Sequence, residues 1–209
     1  MADLTYTMDI NGAPALAALG KVEKQLDTLK NTFGGLQSAL AGLFAVATIS
    51  HALQFADTIN DIAVSSGIAT SSVLGLNAAI ATNGGNSEKA AKMISSLSLS
   101  IEAANSGALQ VSDAFKDVGI SLNDLKTLSD TDLLSRTIVG LSKIDDTSKR
   151  AALAMKILGK GAKGIDFVGV GDDIGRANQE AMKYTASVQK ASAVQDKITS
   201  AIEHFEVAL

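Results

Sequence analysis

The feature that most constrains this chain is a run of apolar residues at a strict 3,4 alternation near its start. Leu19, Val22, Leu26, Leu29, Phe33, Leu36, Leu40 and Leu43 repeat every three and four residues, the a/d rhythm of a coiled-coil seam. Pro14 suits the first turn of such a helix, where a missing N–H costs nothing. Past Lys30 no formal charge appears until Asp57, and the second half reads GGLQSALAGLFAVATISHALQFA. Gly34-Gly35 would cost about 1 kcal/mol per glycine against alanine in a continuous helix, so packing must offset it. The stretch 14–56 therefore offers two surfaces: a self-association seam, and a neutral length suited to a protein core or a bilayer.

Composition points the same way. The chain has 209 residues, 46% of them hydrophobic, but only 4% aromatic, one proline and no tryptophan. That mixture suits packed helices and is poor for a β-sandwich. The absence of cysteine excludes disulfides and thiolate zinc sites. A net charge of −4 does not suggest a nucleic-acid surface. The opening MADLTYTMDING carries Asp3 and no basic region before an apolar core, so it does not read as a secretory leader.

Leu4, Tyr6, Met8 and Ile10 alternate with small or polar residues ahead of Asn11-Gly12, predicting a short strand or extended arm over 3–10. After Ala56 the pattern becomes short helices divided by punctuation. Asp57 to Ser66 continues a helix that Gly67 stops. Thr70 or Ser71 caps the next, which runs to about Thr82 and ends at Asn83-Gly84-Gly85. Asn86 or Ser87 caps a helix with Ala90, Met93, Leu97, Ile101 and Ala104 on one face, closed by Asn105-Ser106-Gly107. Short helical pieces follow over 111–119 and 121–128. Asp130 is expected to cap a helix carrying Leu134, Ile138, Leu141 and Ile144. Asp145, Asp146 or Thr147 caps another, with Leu153, Met155, Ile157 and Leu158 as its apolar contacts and Lys149, Arg150 and Lys156 in solvent; Gly159 stops it. Residues 159–175 read as a glycine-rich connector, and 178–209 as a helix still periodic at Leu209, which suggests an N-terminal portion of a longer product or an expressed fragment.

Candidate sites are few. GKGAKG at 159–164 lacks the first glycine and the final Ser or Thr of a phosphate loop and follows a helix rather than a strand. GVGDDIG at 169–175 has one residue too many for the dinucleotide fingerprint. His51 and His204 have no ligand or triad partner nearby in sequence, and Asp57, Asp61, Asp130 and Asp132 read as caps or solvated helix faces. No catalytic, cofactor-binding or metal residue is assigned, and the chain is expected not to be an enzyme. Residues 31–56 are long enough to cross a bilayer, which needs roughly 20 apolar residues, but they carry Gln37, Ser38, Thr48, Ser50, His51 and Gln54 and lack a clear basic anchor.

From Phe55 to Phe167 the chain resembles the N-terminal conserved region of phage tail tape measure proteins. The likeness lies in ordered blocks: FADTINDIAVSSGIATSSVLGLNAAIATNGGNSEKAAK, then AFKDVGISLNDL, then DLLSRTIVGLSKIDDTSKRAALAMKILGKGAKGIDF. The resemblance implies a structural protein of the tail lumen that acts in tail length determination and tail assembly. It implies a homo-oligomer, with the major tail (tube) protein, tail assembly chaperones and tail-tip proteins as partners. It also implies host cytoplasm during assembly, then the virion, with transient host-membrane contact during genome passage; the rival reading is a membrane-inserting helical protein that aids that passage. No catalytic residue comes with the region. The whole expectation is an all-α chain: an arm over 1–13, a heptad and neutral helix over 14–56, a compact array of short helices over 57–167, and a glycine-rich connector with C-terminal helix over 168–209. Fully helical, 209 residues would span only about 310 Å, short for a long tail.

Overall fold

The computed structural model describes residues 49–207. The arm expected over 3–10, the heptad helix from Pro14 to residue 48, and all eight seam residues lie outside them. Among the described residues the chain is entirely helical, with no strand. In order they form α1 (Ile49–Ser66), α2 (Thr70–Thr82), α3 (Ser87–Asn105), α4 (Leu109–Asp117), α5 (Leu122–Thr127), α6 (Asp130–Ser142), α7 (Thr147–Leu158), a 3-10 turn (Gly159–Ala162), α8 (Phe167–Met182) and α9 (Thr185–Val207).

Most boundaries follow local chemistry. Gly67 adopts φ +69° after α1 and Gly159 φ +67° after α7, a region that only glycine enters cheaply. The Asn86 side chain accepts the Lys89 N–H at 2.9 Å and starts α3. Ser121 and Asp124 form a reciprocal capping box at α5, and Asp146 accepts the Ser148 and Lys149 N–H groups at 2.8 and 2.9 Å to start α7. Each such cap is worth about 1 kcal/mol. The periodic face of α3 is also as expected, with Ala90, Met93, Leu97, Ile101 and Ala104 all buried.

Several expectations are corrected. Neither Thr70 nor Ser71 caps α2: the N-cap is Ala69, without a side-chain cap bond. The Ala69 N–H instead donates to Thr131 Oγ1 of α6 at 2.9 Å. Burial of Thr70 and of every residue from Ser72 to Ile80 holds this helix, so a local cap is dispensable. Ser129, not Asp130, caps α6, accepting the Asp132 N–H at 3.1 Å; two adjacent cap formers are indistinguishable until the backbone selects one. Met155 is 46% exposed, and Ala154 takes the buried place beside Leu153, Ile157 and Leu158. Its neighbour Arg150 is only half exposed, because its guanidinium donates back to the Ile144 carbonyl. Finally, the stretch read as a connector is a helix from Phe167 onward. Phe167, Val170 and Ile174 recur at helical spacing and are buried, and that burial outweighs the cost of Gly169, Gly171 and Gly175. The single helix expected from Asn178 is divided at Lys183–Tyr184.

The core is one continuous cluster running from Ala56 in α1 to Val194 in α9. Its most extensive helix contacts are α2 with α8 and α1 with α9. α2 and α8 run antiparallel. Asn83 Nδ2 and Thr82 Oγ1 at the end of α2 donate to Asp173 Oδ2 at 3.0 and 3.3 Å, while Gly75 lies against Asn178, one turn before the end of α8. α1 and α9 are antiparallel as well. Ser192 Oγ donates to Asp57 Oδ1 at 2.8 Å, and Thr185 and Gln189 face the same groove as Ala63 and Asn60.

Gly75 is where α2 and α8 come closest. A β-carbon there would sit 2.9 Å from the Asn178 backbone and collide with its side-chain oxygen, whereas one at Gly175 would meet nothing within 4 Å. Gly75→Ala should therefore destabilise the body by about 1–3 kcal/mol through overpacking. Gly175→Ala should instead stabilise it by up to about 1 kcal/mol through helix propensity. Urea unfolding of the two variants checks this opposite pair of signs.

Candidate functional site

Among the described residues, the structure brings together no set of chemistry-bearing side chains at the positions the sequence singled out; the side chains of His51 and His204 lie outside them. Lys160 lies within, and Lys163 directly after, a 3-10 turn seated on α3, where Gly161 packs against the Lys89 carbonyl and Met93. The turn is stapled to the α2–α3 loop by Lys89 Nζ, which donates to the Gly84 and Lys163 carbonyls at 3.2 and 2.9 Å. The Lys89 amine therefore braces two loops against each other, and it does so on backbone carbonyls. GVGDDIG lies inside α8, where Gly169 packs against Asn83 and Gly171 against Ser142 of α6. Gly169 and Gly171 serve close contact, Gly175 faces open space, and Asp173 ties α8 to α2. No group of three or more His, Cys, Asp or Glu side chains among the described residues is placed to hold a metal ion.

Asp130 and Asp132 stand in the first turn of α6, where the helix dipole favours carboxylates. Asp57 and Asp61 sit one turn apart on α1, facing α9. Packing around the Asp61 carboxyl, then the charges of Asp57 and Asp196, push its pKa above the usual aspartate value. Asp124 and Asp146 are shifted the other way. Asp124 is lowered first by the Ser121 hydroxyl and then by the Ser121 N–H, and Asp146 by the Lys149 and Ser148 N–H groups it caps.

Among the described residues, two buried side-chain polar atoms lack a partner: Thr137 Oγ1 in α6 and Asn178 Oδ1 at the α2–α8 crossing. Both lie within packed helix contacts rather than in a cleft. One groove, about 550 Å³, is open and lined by the apolar Ala63, Val64 and Ile68 and the polar Asn60, Thr131 and Gln189. Val64 is 77% exposed there. A second opening of about 370 Å³ lies beside Arg136 and Lys143 on α6, with Arg136 paired to Asp124 at 3.1 Å. Neither opening collects a nucleophile, a base and an oxyanion donor.

What the fold does position is the α1–α9 pair, because α1 is the end of the stretch that begins with the heptads. Ala56, Ile59 and Ala63 of α1, and Val188, Ala191 and Ser192 of α9, are buried. These mostly small side chains permit close approach of the two backbones. The sequence had no signal for this pairing, since the partners stand more than a hundred residues apart. Among the described residues no helix is long and apolar enough to cross a membrane; most of the candidate span, residues 31–48, lies outside them. Comparison with known proteins adds no relative: no family model, curated protein or solved structure matches the chain.

Two outcomes follow from these placements. Asp61→Asn should raise the unfolding temperature at pH 7, where the ionised carboxylate is penalised in the folded state. The penalty sets in as pH rises through the elevated pKa and is absent below the unfolded value of about 3.9. The gain should therefore disappear in melts near pH 3. Thr137→Val removes a buried, unpartnered hydroxyl and should stabilise the fold by about 1 kcal/mol, as read by urea midpoint at constant m-value.

Proposed function

We propose that this chain is the N-terminal portion of a phage tail tape measure protein, a structural component of tail length determination and tail assembly. The observation that carries the reading is the order of the resembling blocks from Phe55 to Phe167 and their match to helix boundaries. The first block runs through α1, the Gly67 stop, α2, the Gly84 turn and the start of α3. The second covers the end of α4, Gly119 at φ +82° and the capping box of α5. The third takes in α6, the Asp146 cap, α7 and the Gly159 stop. In this reading the heptads of 14–56 associate with copies of themselves inside the tail tube. The helical body then meets the tail tube protein, the tail assembly chaperones or the tail-tip proteins. The protein resides in the host cytoplasm during assembly and afterwards in the tail lumen, and it performs no catalysis.

Purified tails of the phage that encodes the chain should contain it in multiple copies by quantitative mass spectrometry. Tails without it would overturn the assignment. For the seam, Leu26→Asp with Leu29→Asp should reduce the full chain to a monomer in sedimentation, while helicity of the body is retained. A wild-type monomer at high micromolar concentration would overturn self-association through these heptads. Liposome flotation addresses the rival. Co-flotation that is lost when Leu43, Phe44 and Val46 become polar would favour membrane insertion over helix pairing.

A further inference from the structure

We infer that the helical body is a side excursion of the chain that adds no axial length to the ruler; the inference rests on the tape measure reading. The two antiparallel pairs carry it. Gly75 opposes Asn178, and Thr82 and Asn83 bond Asp173, so the start of α2 lies beside the end of α8. The turns that join these helices to α1 and α9, residues 67–69 and 183–184, therefore meet, and the groove shared by Ala63, Gly67, Ile68, Thr185 and Gln189 marks that meeting point. From there α1 and α9 run back side by side through the Ser192–Asp57 bond. The first residues of α1 consequently stand opposite residues near 200 of α9. Chain entering at Ile49 and chain leaving along α9 join the body at the same pole.

The consequence is a matter of length. Packed helices lie about 8–10 Å apart, so entry and exit are separated by little more than one helix diameter. A continuous helix over the same roughly 150 residues would extend about 225 Å. In a ruler whose reach is set by helical rise, everything from Ile49 to the residues of α9 that stand opposite it doubles back and drops out of the measured length. Residues in this body are free to be spent on contacts with the tube or its tip without changing the distance measured. Insertions in its exposed loops are likewise neutral in length. The turn at Ser106–Gly107–Ala108 is such a place, being exposed and open around Gly107.

Two measurements test this separately from the assignment itself. The chain is free of cysteine, so Gln54→Cys and Lys197→Cys, both at exposed positions of α1 and α9, accept a pair of spin labels in the purified full chain. A label separation under about 25 Å is expected from adjacent helices, and one beyond about 40 Å overturns the single-pole geometry whatever the protein does. In virions, twenty residues of Gly-Ser linker inserted after Gly107 should leave tail length unchanged. A ruler that counts every residue would grow by about 30 Å, and that growth would overturn the inference while leaving the tape measure reading intact. Virions that lack the chain would overturn that reading, and with it the length claim, while the label distance would still decide the geometry.

Discussion

The described structure depends on close approach of helix backbones at small residues. At the α2–α8 crossing Gly75 meets Asn178, with no room for a β-carbon. Along α8, Gly169 and Gly171 let Asn83 and Ser142 press against the helix in the same way. Where side chains are this small, backbone separation sets how much apolar surface the flanking Leu74, Leu76, Ile80, Val170 and Ile174 can remove from water. At about 25 cal/mol per Å², that burial holds together helices of six to about twenty residues, most of which are too short to persist alone. The cost is a polar atom without a partner, Asn178 Oδ1, at the tightest point.

Polar groups act mainly at edges and joints. Ser121, Ser129, Asp146 and Asp166 satisfy the first N–H groups of their helices. Asp173 binds the end of α2 to α8, and Lys89 braces the α2–α3 loop against the 3-10 turn. The exposed ion pairs, such as Lys149–Asp117 at 3.6 Å, contribute little by comparison, because water screens them and long side chains lose entropy on pairing. Asp61 works against the fold, through packing around its carboxyl and then the nearby charges of Asp57 and Asp196.

The division between local and long-range information explains which expectations matched. Gly67, Gly107, Gly119 and Gly159 announce their stops because a positive φ is a property of one residue, and Asn86 and Asp146 announce their starts because a cap bond spans three. Ala90, Met93, Leu97, Ile101 and Ala104 reveal the buried face of α3 by spacing alone. The misses share a cause. α2 starts at Ala69 without a side-chain cap because its surroundings bury it nearly all round, and α8 forms through three glycines because Phe167, Val170 and Ile174 are buried and neighbours fill the space beside Gly169 and Gly171. Met155 yields its expected buried place to Ala154 because a buried stripe is chosen by the partner helices as well as by apolarity. For the candidate site, the sequence located no catalytic set, and its one assigned surface, the seam from Leu19 to Leu43, lies outside the described residues.

By itself, then, the sequence determined that the chain after Ala56 is a series of short helices, where most of them stop, and which face of α3 is apolar. Each of those depends on interactions within a few residues. Only the tertiary structure decided that α8 is a core helix, that α9 returns along α1, and that entry and exit share a pole. Those facts rest on contacts such as Ser192 with Asp57 and Gly75 with Asn178, which join positions more than a hundred residues apart. Small residues at a crossing carry no periodic signal: a glycine that loosens a loop and one that admits a neighbouring backbone are the same letter until the neighbour is in place.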